Sequence, residues 1–600
     1  MICAAVFIAQ SNIVSAEEAR ERVHDAWRPL PCTHEDGLIA ERVGLWRDKR
    51  LWHVAESDYL LSGFQTRPGT HAWQGEHAGK WLHSATLAHQ QTRDEKLGKK
   101  LKETVDKLLA AQLPNGYLGT YAERKRFYMV PGDKNSWDVW SHRYNLYGLL
   151  TYERFHPDPR IVKACERMAD LIIETFGPGK ADMTQNGTRL GISTTTVLES
   201  MMMLYERTRQ ERFLKFAEHI VHCSENAAGL RLMGDMLEKK DVSGPGGGKA
   251  YQLMANLIGY LLLYQNTGDQ RYIDTVRNGW DNITAGHLYT TGGPWSRHMR
   301  YNGNRECFAL PQDFDPAVAV VETCSTTTWV QLNLHLLQLT GEAKYAAEAE
   351  RALINAIMGA QAGQGIEWCY YTKANSDQQP FAERINCCAS SGPRALEMFS
   401  HYMIGTVDGG VSLSSLVPLS ATLPEEFGGA KLKVTGNYPF GTQVTIRFKE
   451  ANGKSFPIEF PEPAGSRLKS AKVNGDEVKT SENNRGFHRI TRAWKTGDEI
   501  NLDIEFLLKS HVEKPKQDVR WVAFTYGPWA LAQKIAKGKE VDEPLQGKDI
   551  ASTPASRWLE PIQSQDTTIP TFRLKNTKIV LEPYYLTGSK TTGPRTYFKF

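Results

Sequence analysis

Leu336-Leu337-Gln338-Leu339-Thr340-Gly341-Glu342 closes one helical pattern and opens the next. Apolar residues recur at helical spacing up to a Thr-Gly pair. An acidic residue follows, then Tyr345 and an Ala-rich run to Ala360. Glycine accepts the left-handed backbone that ends a helix, and an acidic side chain suits the positive end of the next one. The same device stands at Leu263-Tyr264-Gln265-Asn266-Thr267-Gly268-Asp269, ahead of Tyr272. Looser copies occur at Leu204–Arg209 before Glu211, at Tyr152–Pro157 and at His89–Asp94. Five helical hairpins therefore follow one another at intervals of roughly 50–75 residues, a signature of stacked repeats. A sixth can pair the helix after Cys388 (Arg394 to Tyr402) with helices near the N-terminus. Six hairpins closed into a ring make an (α/α)6 barrel, with an open solenoid as the alternative. Long inserts at 177–191, 288–321 and 362–386 favour the ring, because they would gather at one mouth where a site can form.

The periodicity changes near residue 405. Val411-Ser412-Leu413, Lys431–Thr435, Gln443–Phe448 and Asn501–Phe506 alternate apolar and polar residues. Asn474-Gly475 is a strong hairpin signal, and Trp521-Val522-Ala523-Phe524 suits a buried strand. The expected organisation is multidomain. An α/α barrel over 17–405, able to lend an N-terminal strand to the β region, precedes one or two β-sandwich domains over 406–600.

The chain has 600 residues, 41% hydrophobic and 23% charged, with a net charge of +4. That balance is ordinary for a multidomain globular protein. No basic run or stripe points to nucleic acid. No apolar stretch approaches the roughly 18 residues that span a bilayer. The start, Met1-Ile2-Cys3-Ala4-Ala5-Val6-Phe7-Ile8-Ala9 leading to Val14-Ser15-Ala16, resembles a signal peptide cleaved near Ala16, without the usual positive n-region. Export to a periplasmic or extracellular location is the expectation. Nine cysteines show no disulfide-framework spacing. Cys165 and Cys223 fall on helical patterns and are expected to be buried.

The chemistry is carried by Asn386-Cys387-Cys388 and Glu322-Thr323-Cys324. Adjacent cysteines close a strained disulfide ring but can turn two thiolates toward one metal ion. With Glu322 and Cys324 they offer one oxygen and three sulfurs, a tetrahedral zinc set. Both segments lie where helices begin, a setting that favours thiolate and carboxylate. A capping glutamate beside inert buried thiols is the competing reading. Glu306, in the 288–321 insert beside Arg305, is a candidate proton donor. Arg305 is a candidate substrate clamp or an ion-pair partner. A retaining glycosidase needs a proton donor and a nucleophile, and a zinc-held thiolate could serve as the latter.

These residues together resemble the β-L-arabinofuranosidase family, glycoside hydrolase family 127. The resemblance covers roughly residues 20 to 535 and rests on Glu306, Glu322-Thr323-Cys324, Leu339-Thr340-Gly341, Asn386-Cys387-Cys388 and a β-region ending at Tyr526–Ala532. It implies a Zn2+ ion held by Glu322, Cys324, Cys387 and Cys388. It also implies a nucleophilic Cys387 and an acid/base Glu306, working with retention on a glycan substrate. His142 matches a family histidine that contacts the sugar. Tyr370 matches a tyrosine near the nucleophile, with Tyr371 as the alternative register.

The chain departs from the family pattern in three places. Ala389-Ser390-Ser391 stands where Pro-Pro-Asn often follows the cysteines. Gly191-Ile192-Ser193 and Gly248-Lys249-Ala250 stand where two Gly-His pairs are expected. Lys249 in the pocket would suit a carboxylated sugar, such as an acidic pectic side-chain residue. Two further readings are a noncatalytic carbohydrate-binding barrel with structural zinc, and a lyase or epimerase on the same barrel. The β domains offer a surface for a homodimer.

Overall fold

The structure, a computed structural model, describes residues 22–127, 136–297, 306–513, 515, 519–539, 545, 553–563 and 568–600. The proposed leader and Cys3 lie outside these residues.

Six helices form the inner ring of the barrel: Glu76–Thr92, Asp138–Phe155, Val197–Thr208, Ala250–Thr267, Thr323–Thr340 and Cys387–His401. Each packs on the next, and Cys387–His401 packs back on Glu76–Thr92, so the ring closes. Inner helices are buried nearly all round; in Ala250–Thr267 all but Tyr264 and Thr267 are buried. The outer partners carry one apolar stripe each, as in Pro159–Phe176, where Ile161, Cys165, Met168 and Ile172 face inward. Gly268 and Gly341 end their helices with φ of 69° and 70°, the left-handed turn expected of the Thr-Gly device. Leu38–Leu45 and Leu51–Ala55 supply the sixth outer element. Cys165 is buried as expected, whereas Cys223 is half-exposed, with its Sγ 3.4 Å from the His219 ring.

Three larger sheets follow. A six-stranded sheet faces a seven-stranded one. Phe448 from the second stacks on Trp494 from the first at 4.5 Å between ring centres. Arg28–Pro29 and Thr33–His34 join one sheet each, tying the chain start to this sandwich. Asn474 and Gly475, with φ of 55° and 93°, form the hairpin turn. An eight-stranded sheet spans Leu508–Glu513 to Phe598–Lys599. It braces the 362–386 insert: Tyr584 donates to the Lys373 carbonyl at 2.6 Å and Asn375 to the Tyr597 carbonyl at 2.7 Å. No helix among the described residues is long and apolar enough to cross a membrane.

Candidate active site

The three long inserts meet at one mouth of the ring. They line a cavity of about 1010 Å³ with Thr188, Arg189, Glu306, Tyr370, Asn386 and Cys387 among its walls. On the floor, Asn386 caps the helix Cys387–His401, accepting from the Ala389 amide at 2.9 Å. Cys387 and Cys388 are therefore the first two helical residues, at the positive end of the dipole. Opposite them, the strand Ala319–Glu322 runs into the helix Thr323–Thr340. Its pairing sets Glu322 against Tyr371, and the Thr323 amide donates to the Tyr370 carbonyl at 3.1 Å. One register thus positions a carboxylate, a thiol and both tyrosines.

Glu322, Cys324, Cys387 and Cys388 converge, their ligand atoms all within 4.8 Å of one another. Cys387 and Cys388 sulfurs are 3.9 Å apart, and Cys388 Sγ is 3.8 Å from Glu322 Oε1. Tetrahedral zinc with Zn–S near 2.3 Å would place sulfurs about 3.8 Å apart, so the donor set fits zinc in chemistry and spacing. Ser325 donates to Glu322 Oε2 at 2.7 Å, and Cys324 Sγ lies 3.3 Å from Ser391 Oγ. Ser391, one of the residues standing in place of Pro-Pro-Asn, thus touches a ligand sulfur. Burial pushes the Glu322 carboxyl up to about 6. The three sulfurs are not equivalent. Hydrogen bonds from Cys324 and Cys388 hold Cys387 well below the usual thiol range, while burial pushes Cys324 and Cys388 well above it. Cys387 is also the one of the three that lines the cavity.

Glu306 faces this cluster from the 288–321 insert. Its backbone takes φ of 60°, uncommon for a residue with a Cβ and typical of functional sites. Tyr370 and Tyr371 both donate to Glu306 Oε1, at 2.8 and 2.7 Å. The Tyr370 hydroxyl also lies 3.2 Å from Cys387 Sγ. Sulfur and carboxylate therefore share one bridging hydroxyl. Lys249 lies on the opposite side of Glu306 and ion-pairs with its Oε2.

His142 does not reach the cavity, which corrects the expectation that it contacts the sugar. It is fully buried. Its Nε2 accepts from the Leu118 amide at 3.2 Å, its Nδ1 lies 2.9 Å from the Asp138 carbonyl, and its ring packs against Tyr117 and Phe127. Both ring nitrogens are occupied within the barrel wall. Arg305 lies outside the described residues. The sequence reading also missed a floor group. Lys80 is fully buried, 3.1 Å from Glu76 Oε1 and 3.3 Å from the Cys387 carbonyl. It sits 4.7 Å from the Tyr144 ring centre, and the Trp140 indole donates to Glu76. Glu76, Trp140, Tyr251, His71, Tyr59 and the half-exposed Trp73 complete the walls. On helices that read as apolar core, only the pair Glu76 and Lys80 at helical spacing could have signalled this.

The mouth of the barrel thus joins a carboxylic acid, a cysteine thiol and a donor set of zinc type. Residues 45–401 match the β-L-arabinofuranosidase GH127 catalytic domain, and residues 419–506 match the GH127 middle domain. The chain belongs to the GH127 family of glycoside hydrolases. A non-reducing end β-L-arabinofuranosidase of Bifidobacterium longum is 22% identical over 517 residues, covering 78% of this chain and 75% of that one. Two solved structures share the fold at 17% identity. A GH127 β-arabinofuranosidase superposes with a TM-score of 0.77, covering 96% of this chain and 98% of that one. A GH127 β-L-arabinofuranosidase from Geobacillus stearothermophilus T6 gives 0.75, with 95% and 99% covered.

Proposed function

We propose that the protein is a zinc-dependent, retaining exo-glycosidase of the β-L-arabinofuranosidase type, with Cys387 as nucleophile and Glu306 as acid/base. The observation that carries this reading is the shared Tyr370 hydroxyl, 3.2 Å from Cys387 Sγ and 2.8 Å from Glu306 Oε1. The β-L-arabinofuranosyl assignment draws on the names of the relatives.

Glu322, Cys324, Cys387 and Cys388 would hold the zinc. When bound, it keeps the sulfurs ionised near neutral pH. In the first half-reaction the Cys387 thiolate attacks the anomeric carbon. The bond from that carbon to the glycosidic oxygen breaks as Glu306 gives its proton to that oxygen. The alcohol leaves, and the sugar is joined to Cys387 through a C–S bond. In the second, Glu306 takes a proton from water, and the water oxygen attacks the same carbon. The C–S bond breaks and returns the thiolate. Two displacements at one carbon retain its configuration. Tyr370 holds nucleophile and acid in register, and Tyr371 fixes the carboxylate plane. Lys80 anchors the Cys387 backbone from below. The aromatic walls of Tyr59, His71, Trp73 and Trp137 supply flat faces for the sugar and its leaving group.

Measuring zinc together with hydrolysis of an aryl β-L-arabinofuranoside tests the reading. Near-stoichiometric zinc with activity lost in Cys387→Ser and Glu306→Gln is expected; a fully active Cys387→Ser variant would overturn it. Export belongs to the same proposal and rests on the Met1–Ala16 pattern. N-terminal sequencing of the mature protein, starting at Glu17, tests it.

A further inference from the structure

The eight-stranded sheet takes no part in the reaction above, yet it grips the strands that carry the site. Trp295–Arg297, Ala319–Glu322 and Tyr371–Lys373 form a three-stranded sheet in that order. Its middle strand ends in Glu322, and its last strand carries Tyr371, next to Tyr370. That last strand is an edge, with a strand neighbour on one side only. Outward backbone groups on an edge need other partners. The Lys373 amide donates to Gln379 at 3.1 Å, and the Lys373 carbonyl accepts from Tyr584 at 2.6 Å. Gln379 in turn donates to the Tyr584 hydroxyl at 3.0 Å.

Tyr597 closes the clamp. It is fully buried, with its ring 4.8 Å from that of Phe314 and 5.3 Å from that of Tyr289. Its hydroxyl accepts from the Thr290 amide at 3.2 Å and lies 2.7 Å from Thr290 Oγ1. Thr290 sits in the 289–293 turn that feeds Trp295–Arg297, the other edge of the three-stranded sheet. The Tyr597 backbone is held by Asn375, which follows Tyr371–Lys373. Asn375 Oδ1 accepts from the Thr596 and Tyr597 amides at 3.0 Å each, and its Nδ2 donates to the Tyr597 carbonyl at 2.7 Å. One tyrosine is therefore tied to both edges of the sheet that carries Glu322 and Tyr371. Three side-chain bonds from Asn375 to one backbone step fix a position, which burial alone does not.

We propose that Tyr597 and Asn375 are positioning residues for the acid/base group. By holding the edge strand, they set the Tyr370 and Tyr371 hydroxyls on Glu306 Oε1. Neither acts on the substrate directly. The inference rests on Glu306 being the proton donor, as proposed above, and makes the eight-stranded sheet a working part of the active site. A carboxyl group held out of line protonates a poor leaving group badly, whereas an acidic phenol departs with little help. A displacement of about 1 Å set up away from the chemistry can cost about 10²-fold.

The test uses the full chain, zinc-loaded, as Tyr597→Phe and Asn375→Ala, with Glu306→Gln as reference. kcat/KM, which reports the first half-reaction, is measured on two β-L-arabinofuranosides, one with an alkyl leaving group and one with an acidic phenol. Both clamp variants should lose about 10- to 100-fold on the alkyl glycoside and stay close to the unaltered protein on the phenol glycoside. Zinc content should be unchanged. Equal losses on the two glycosides, the mark of a merely structural role, overturn the inference, as does no loss on either. If Asn375→Ala melts early, Tyr597→Phe, which keeps the buried ring, decides alone. If Glu306→Gln separates the two glycosides and the clamp variants do not, this inference alone fails. If Glu306→Gln does not separate them, or the unaltered protein hydrolyses neither, the reaction assigned to the site fails and takes the inference with it.

Discussion

The Tyr370 hydroxyl donates to Glu306 Oε1 at 2.8 Å while lying 3.2 Å from Cys387 Sγ. The proposed nucleophile and proton donor are thus registered through one side chain. That side chain is fixed in turn by the pairing of the 371–373 strand with Ala319–Glu322. Removing the hydroxyl leaves both reacting groups in place but uncoupled. Hydrogen bonds to charged groups contribute about 1.5–3 kcal/mol. Tyr370→Phe should therefore lower kcat roughly 10- to 150-fold, with zinc content unchanged. Steady-state kinetics with metal analysis on one sample checks this.

In the proposed mechanism Glu306 acts in both half-reactions, so its loss should depend on the leaving group. With Glu306→Gln, kcat on an alkyl glycoside should fall by about 10²–10⁴-fold, the usual share of general acid–base catalysis. An aryl glycoside with an acidic phenol should form the sugar–enzyme adduct readily and then stall. Added azide should restore turnover and give a glycosyl azide of retained configuration, readable by NMR. An inverted azide would exclude the double displacement.

Ser325 donates to Glu322 Oε2 at 2.7 Å and orients the carboxylate proposed to bind zinc. Partners of metal ligands typically contribute 10–100-fold in affinity. Ser325→Ala should weaken zinc binding by about that factor in a chelator competition. The near-ultraviolet circular dichroism should stay the same. Undiminished zinc affinity would remove Ser325 from this role.

Glu350 joins the barrel to the first sandwich. It is buried, accepts from Tyr438 at 2.6 Å and from Ser415, and burial raises its carboxyl to about 7. The folded state therefore holds this proton more tightly than the unfolded chain. The stabilisation it contributes is complete below about 4.5 and is lost as pH rises toward about 7. Glu350→Gln should flatten that dependence, with a relative gain at pH 8 over pH 5 of at most about 3 kcal/mol. Melting temperatures of the two proteins across that range check the sign. A variant whose difference from the parent does not change with pH would contradict it.

Much of this architecture is legible because its signals are local. Each Thr-Gly turn specifies a helix end by itself, so the ring of hairpins can be read off Gly268 and Gly341 without tertiary information. Glu322-Thr323-Cys324 and Cys387-Cys388 are short, and helix starts orient them alike. What stays hidden depends on which way an inner helix is rotated. His142 and Trp140 lie two residues apart on one inner helix, yet Trp140 lines the cavity and His142 turns back into the Tyr117–Phe127 wall. Nothing in the hydrophobic pattern separates them, since both positions are buried. Lys80 is hidden for a related reason, because a lysine on a helix is ordinarily exposed. Its burial depends on Glu76, the Tyr144 ring and the Cys387 carbonyl arriving from three elements.

The central claim is that Cys387 carries the sugar. Its most direct test is peptide mass spectrometry of zinc-loaded Glu306→Gln quenched during reaction with an activated aryl glycoside. The account predicts one anhydro-sugar on the peptide containing Cys387, and none when Cys387 is also replaced by serine. A sugar found on Glu322 or another carboxylate, or turnover with no adduct on this peptide, would contradict it.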